Sequence, residues 1–214
     1  MKALIIGAAP VDGSGSLIRS LATVCDMVIA ADAAAEWCIA AGVVPDVAVG
    51  DFDSASPGAL ERLKQQRVNV VCFPAEKDAS DLDLAIVIAR EAGATELVFS
   101  ACTSGRLDHT LAALGGVIAG ADLHPVIREP HLSAWTLSSD VEKRLDLVLP
   151  IHTTVSIFAL GDALGVTLEG FRYPLVDATL HSLSSHGLSN ITMSDKVTVT
   201  VASGTLLVIA SLDV

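Results

Sequence analysis

"DMVIAADAAAEWCIAAGVVPDVAVG", residues 26–50, decides how the first half of the chain folds. An apolar run opens it, "DMVIAA" (26–31), and another closes it, "VAVG" (47–50), with a helical stretch at 33–41 between them. Neither run alternates with polar residues. A strand with one wet face shows polar side chains at every second position, so unbroken runs suit strands covered on both faces, as in a parallel sheet with helical crossovers. The same rhythm extends outward. "KALIIG" (2–7), "VNVVCF" (68–73) and "ELVFSA" (96–101) read as further strands, and 15–23, 57–66, 79–92 and 107–119 as helices. In "SDLDLAIVIAREAG" one face carries Leu82, Ala85, Ile86 and Ala89, with Ser80 as N-cap and Gly93 as the stop. Repeated strand–helix units predict a doubly wound, mostly parallel α/β domain over residues 1–122.

The rhythm changes near Asp122–Pro125. "HPVIRE", "SAWTLS", "RLDLVLP", "TVSIFAL", "VTLEGFRYPL", "KVTVTVAS" and "TLLVIAS" are short, often alternating and separated by turn residues. Residues 123–214 therefore read as a second, all-β sandwich domain. The run 197–212 alternates Val with Thr around Ser-Gly and reads as a hairpin rather than a membrane span, and "MKALIIGAAP" reads as a first strand rather than a signal peptide. With 51% hydrophobic residues among 214, a sizeable core can be buried; a net charge of −12 argues against a nucleic-acid partner, whose phosphates ask for a basic surface. Cys25, Cys38, Cys72 and Cys102 form no C-x-x-C pair and are expected as reduced, buried thiols of a cytoplasmic protein.

Three acidic clusters fall at strand-to-helix junctions, where open α/β sheets bind ligands. Asp51 and Asp53 follow "VAVG"; Lys77, Asp78, Asp81 and Asp83 follow the fourth strand; Arg106, Asp108 and His109 follow the fifth. Carboxylates gathered in one cleft repel each other unless a hard cation sits among them, and Mg²⁺ takes a few such oxygens while drawing other ligands from substrate phosphates. Lys77 and Arg106 then hold phosphate oxygens directly, and the helix starting near Asp81 offers N–H groups to an anion. Each cluster also has a plainer reading, as caps and Asx-turns. Asp83 in particular reads as a solvated charge, whereas His109 beside Asp108 reads as part of the site. The loop "GAAPVDGSGS" (7–16) matches neither G-x-G-x-x-G nor a P-loop and signals phosphate approach only weakly.

"AADAAAEWCIAAGVVPDVAVGDFDS", "EKDASDLDLAI", "SGRLDHTLAAL" and "GVTLEGFRYPL … HGLSN" resemble, in order and spacing, the thiamine pyrophosphokinases, over residues 31 to about 190. The resemblance implies diphosphate transfer from ATP to the hydroxyl of thiamine, Mg²⁺ dependence, and a homodimer holding thiamine between the α/β domain of one subunit and the β domain of the other. It implies metal-linked carboxylates at Asp51, Asp53 and Asp81, and a phosphate and nucleotide region of Lys77, Asp78, Arg106, Asp108 and His109. Asp32 matches an aspartate of the family's Ala-Asp-Gly-Gly stretch; Ser189 and Asn190 would meet thiamine, together with Tyr173. Asp108 is the candidate to accept the hydroxyl proton. The family's two glycines and later asparagine are here Ala33, Ala34 and Glu36, which bears on the fit of that loop. A pyrophosphokinase for another alcohol such as a pterin, a non-catalytic nucleotide or thiamine sensor, and a plain interaction protein remain alternatives at this level.

Overall fold

The computed structural model describes residues 1–212 apart from 54, 75, 77, 104 and 105. The chain divides into two compact units, Met1–Pro130 and His131–Val214.

In the first unit the strands β1 (Lys2–Ile6), β2 (Met27–Ala31), β3 (Val47–Gly50), β4 (Asn69–Cys72), β5 (Glu96–Ser100) and β6 (Val126–Glu129) are ordered β6-β5-β1-β2-β3-β4. Every adjacent pair is parallel. The helices α1 (Ser14–Ala22), α2 (Ala34–Ala40), α3 (Ala59–Gln65), α4 (Asp81–Glu91) and α5 (Leu107–Ala119) make the crossovers. The chain steps from β1 through β2 and β3 to β4, then returns to the other side of β1 with β5. The strand order therefore reverses between β1 and β5, and the carboxyl ends of those two strands frame the crevice where such sheets bind ligands.

The unbroken apolar runs behave as expected of two-sided strands. Leu4, Ile6, Ala30, Ala48 and Val98 join one core cluster with Ile18 of α1, Ala34 and Cys38 of α2 and Leu63 of α3. Burying each Leu or Ile contributes about 1.5–3 kcal/mol relative to leaving it in water. Cys72 departs from the buried thiol expected of it, because β4 is the outer strand at that end and Cys72 is exposed. The first compact unit runs to Pro130, and within it Val126 and Ile127 pair in parallel with Val98 and Phe99.

The second unit holds two antiparallel sheets. One runs through β12 (Asn190–Ile191), β9 (Thr154–Ala159), β14 (Thr205–Ser211) and β7 (Leu132–Ser138); the other through β11 (Leu175–Leu180), β10 (Ala163–Glu169), β13 (Lys196–Thr200) and β8 (Arg144–Val148). Alternate residues are buried, among them Val155, Ile157 and Ala159 of β9 and Val197 and Val199 of β13, the pattern of sheets with one inward face. The expected hairpin at 197–212 is not formed. β13 pairs with β10 and β8, whereas β14 pairs with β7 and β9, so the turn carries the chain from one sheet to the other. The run "VTLEGFRYPL" likewise splits at Gly170–Pro174 into β10 and β11, and β11 was hidden because half of its residues are exposed and only Leu180 is buried. No helix among the described residues is long and apolar enough to cross a membrane.

Candidate functional site: a carboxylate triad beside the switch-point cavity

A cavity of about 600 Å³ opens at the carboxyl ends of β1, β2 and β5. Gly7–Pro10 after β1, Ala31 and Asp32 at the end of β2, Ala101 and Cys102 after β5, and the first turns of α4 and α5 line it. Gly7 fits only as glycine. A Cβ there would lie 2.5 Å from the Ala101 carbonyl oxygen, and this close approach lets Gly7 and Ala9 donate to the carbonyls of Ser100 and Ala101. The weak signal in "GAAP" thus marks real cavity wall.

Beneath that wall lies a residue the sequence reading missed. Glu129 is 3% exposed, and its carboxylate accepts from the backbone N–H groups of Ala101, Cys102 and Thr103 and from the Thr103 hydroxyl, at 2.9–3.1 Å. Ala101 has φ +55°, a conformation a non-glycine residue holds only when its surroundings enforce it. Glu129 supplies that enforcement. Burial and this neighbouring carboxylate push the Cys102 thiol well above its ordinary value, so it stays protonated and takes no part as a nucleophile. The only sequence cue to Glu129 was a charge at the end of an apolar run.

The acidic centre forms where β2 and β3 end side by side. Asp32 is one residue past β2 and Asp51 one residue past β3. Carboxylate oxygens of Asp32, Asp51 and Asp53 all lie within 4.8 Å of one another. Local structure explains how. Asp32 has φ +50°, its N–H donates to the Val49 carbonyl, and its Oδ1 accepts from the N–H of Phe52. Gly50 admits this turn, because a Cβ at that position would sit 2.9 Å from the Asp32 Cα. Phe52, itself at φ +56°, buries its ring in the core between the two flanking aspartates and so turns both of them away from it.

Three carboxylates at this spacing repel by roughly 1 kcal/mol per pair in water and about 4 kcal/mol near a protein surface. A hard cation removes that cost, and three carboxylate oxygens within 4.8 Å of one another come near the span of one Mg²⁺ ion, whose ligands sit about 2.0–2.1 Å from it. The donor set therefore fits magnesium. It differs from the expected set in one member. Asp81, the first residue of α4, lines the cavity with Asp32 but is not one of the converging three, because it follows a long loop beyond the outer strand β4.

The other expected residues sort as follows. Arg106 and His109 line the cavity at the start of α5. Asp108 does not; its two oxygens accept from Arg106 Nη2 and Nε at 2.6 and 3.2 Å, and this fork lowers its pKa to about 2. So weak a base is a poor proton acceptor at neutral pH, and the geometry makes Asp108 a holder of Arg106 instead. Asp78 is exposed in the bend before α4 and does not line the cavity, and Lys77 lies outside the described residues. Asp83 is no mere solvated charge. It completes a capping box, accepting from the Ser80 N–H while its own N–H donates to Ser80 Oγ, which engages two of the N–H groups expected to face an anion.

The departures in "ADAAAE" fall outside the cavity wall. Ala34 is fully buried, and Ala33 precedes α2 with an ordinary φ of −58°. Glu36 accepts from the N–H and hydroxyl of Ser56 and from Arg62, and the Ser56 donors, more than Arg62, hold its carboxyl below the usual range. In the second unit, Tyr173 and Ser189 are exposed but Asn190 is 3% exposed. The Asn190 amide clamps the main chain of Tyr173, accepting from its N–H at 3.0 Å and donating to its carbonyl at 2.8 Å. Asn190 thus holds the Tyr173 main chain in place.

Two family models match this chain. The thiamin pyrophosphokinase catalytic domain matches residues 18–123, and the thiamin pyrophosphokinase vitamin B1 binding domain matches residues 140–206. The chain belongs to the thiamin pyrophosphokinase family. The triad, the cavity wall before Glu129 and the α5 fork all fall within or beside the catalytic match, and Tyr173 and Asn190 within the vitamin B1 match. A thiamine pyrophosphokinase of Bacillus subtilis (strain 168) is 28% identical over 182 residues, 81% of each chain. The crystal structure of a Bacillus subtilis thiamine pyrophosphokinase superposes with a TM-score of 0.85 at 25% identity, covering all of both chains. The Candida albicans enzyme shares the fold at 14% identity, with a TM-score of 0.83 over 99% of this chain and 89% of that one.

Proposed function

We propose that the chain catalyses Mg²⁺-dependent transfer of a diphosphate group from ATP to the hydroxyl of thiamine, with Asp32, Asp51 and Asp53 as the carboxylates that hold the metal. The convergence of these three beside a switch-point cavity, in a chain of this family, carries the reading. The thiamine oxygen attacks the β-phosphorus, the bond from that phosphorus to the α–β bridging oxygen breaks, and AMP leaves with that oxygen; the hydroxyl proton is released. Bound magnesium would supply positive charge against the triphosphate oxygens. The residues of the chain position and neutralise, which is most of what phosphoryl chemistry asks of a protein. Arg106, oriented by Asp108, reaches the cavity wall as a phosphate contact, with His109 beside it. Lys77 belongs to the same proposal through its place in the sequence pattern, and Asp81 faces the nucleotide rather than the metal. Thiamine is a cation, and an acidic cleft favours it.

We assign Tyr173 and Ser189 to the thiamine side of a homodimer, with Asn190 holding Tyr173 in place. Exposed apolar side chains in the second unit, Tyr173, Val176, Leu183, Leu188 and Met193, support a subunit contact. Four free cysteines suit a reducing cytoplasm. The vitamin B1 match favours thiamine over a pterin acceptor, and Ala33 and Ala34, the features that suited a sensor, lie away from the cavity wall. Incubation with thiamine, ATP and Mg²⁺ is expected to yield AMP and thiamine diphosphate in equal amounts. Asp51→Asn is expected to lower the rate by at least about a hundredfold with the fold intact, the scale of losing a preorganised electrostatic contact. Turnover only with a pterin, binding without turnover, or full activity in Asp51→Asn would each contradict this reading.

A further inference from the structure

Glu36 stands where the family pattern carries an amide, and its surroundings give it a task. The segment after β3 carries Asp51 and Asp53, and it is held at two points, by Asp32 in the turn after β2 and by Glu36 in the first turn of α2. At the near point Asp32 accepts from the N–H of Phe52 at 3.1 Å. At the far point Glu36 Oε2 accepts from the Ser56 N–H at 2.8 Å, and Oε1 accepts from the Ser56 hydroxyl and from Arg62 Nη2, each at 2.5 Å. Arg62, from α3, closes the ring by donating to the Pro57 carbonyl at 3.0 Å and to the Ser56 hydroxyl. Asp53 is exposed and lies between the two points, so the far clamp limits where its carboxylate can go.

We infer that Glu36, through Ser56 and Arg62, is a positioning residue that sets the cation affinity of the carboxylate triad. The inference rests on the magnesium reading of Asp32, Asp51 and Asp53. An exposed ion pair adds little to global stability. The Glu36 side chain is 28% exposed and that of Arg62 52% exposed, so unfolding is only weakly opposed by the pair. A network that fixes the supports of metal ligands acts mainly on affinity, where losses of about 10–100-fold are usual.

The test is Mn²⁺ titration of the full chain without nucleotide, read by electron paramagnetic resonance, with melting temperature measured on the same samples. Glu36→Ala is expected to weaken Mn²⁺ binding about tenfold with a small change in melting, and Glu36→Gln, which keeps an oxygen for Ser56, to recover most of it. Should Glu36→Ala not fold, Ser56→Ala carries the same expectation. Asp51→Asn separates the two layers. If it loses Mn²⁺ binding while Glu36→Ala and Ser56→Ala bind as tightly as the parent, the positioning role is wrong and the metal reading stands. If Asp51→Asn itself binds Mn²⁺ undiminished, the metal reading falls and the positioning role with it.

Discussion

Arg106 takes both oxygens of Asp108, and that fork decides what Asp108 does. A carboxylate whose pKa falls from 3.8 to about 2 remains ionised through any physiological range. Because the folded value is depressed, the benefit of the pair is present above the unfolded value of 3.8 and is lost as pH falls through about 2. Carboxyl-selective NMR is expected to show Asp108 titrating near pH 2, and to show it moving up toward 3.8 in Arg106→Gln. A midpoint at or above 3.8 in the parent chain would break the fork. It follows that any limb in the rate profile between about pH 5 and 9 belongs to another group. At this scale the sequence showed which residue types were present and not which bonds they made. Asp83 as a capping partner, Asn190 as a clamp on Tyr173 and Glu36 as a tie to Ser56 each depend on a neighbour three or more positions away.

β6 shows what an element can contribute beyond pairing. It pairs with β5 and brings Glu129 beneath the turn that follows β5, where four donors meet its carboxylate. Glu129→Gln keeps the shape but must turn an amide N–H₂ toward at least one of those donors. The cost of a buried unsatisfied group is about 1–3 kcal/mol, which lowers the melting temperature by about 2–4 °C per kcal/mol in a chain of this size. Thermal unfolding with no change in midpoint would mean that the turn holds itself. The strands and helices of the first unit were legible because unbroken apolar runs and 3.6-residue faces leave few alternatives. The partners of β13 and β14 were not, for the two strands join different sheets instead of forming a hairpin. Alternation reports that one face of a strand is buried, and it is silent on which sheet covers that face.

Across the first unit the site follows from strand order. Adjacent β2 and β3 end within one residue of each other, so the residues that follow them, Asp32 and Asp51, become neighbours, and Asp53 joins through the buried ring of Phe52. That placement needs the pairing of β2 with β3, which sequence motifs do not state; the carboxylates were recognisable, but which three of them converge was not. Asp81 resembled a ligand by motif, yet the loop beyond β4 leaves it on the cavity wall. The same order explains the cavity, since the reversal between β1 and β5 leaves Gly7–Pro10 facing Ala101 and Cys102.

Anomalous diffraction from crystals grown with Mn²⁺ and ATP measures directly where the cation goes. A manganese peak bounded by the carboxylates of Asp32, Asp51 and Asp53 is the result expected. A peak held by Asp81 without Asp32, or one remote from all three, would contradict it.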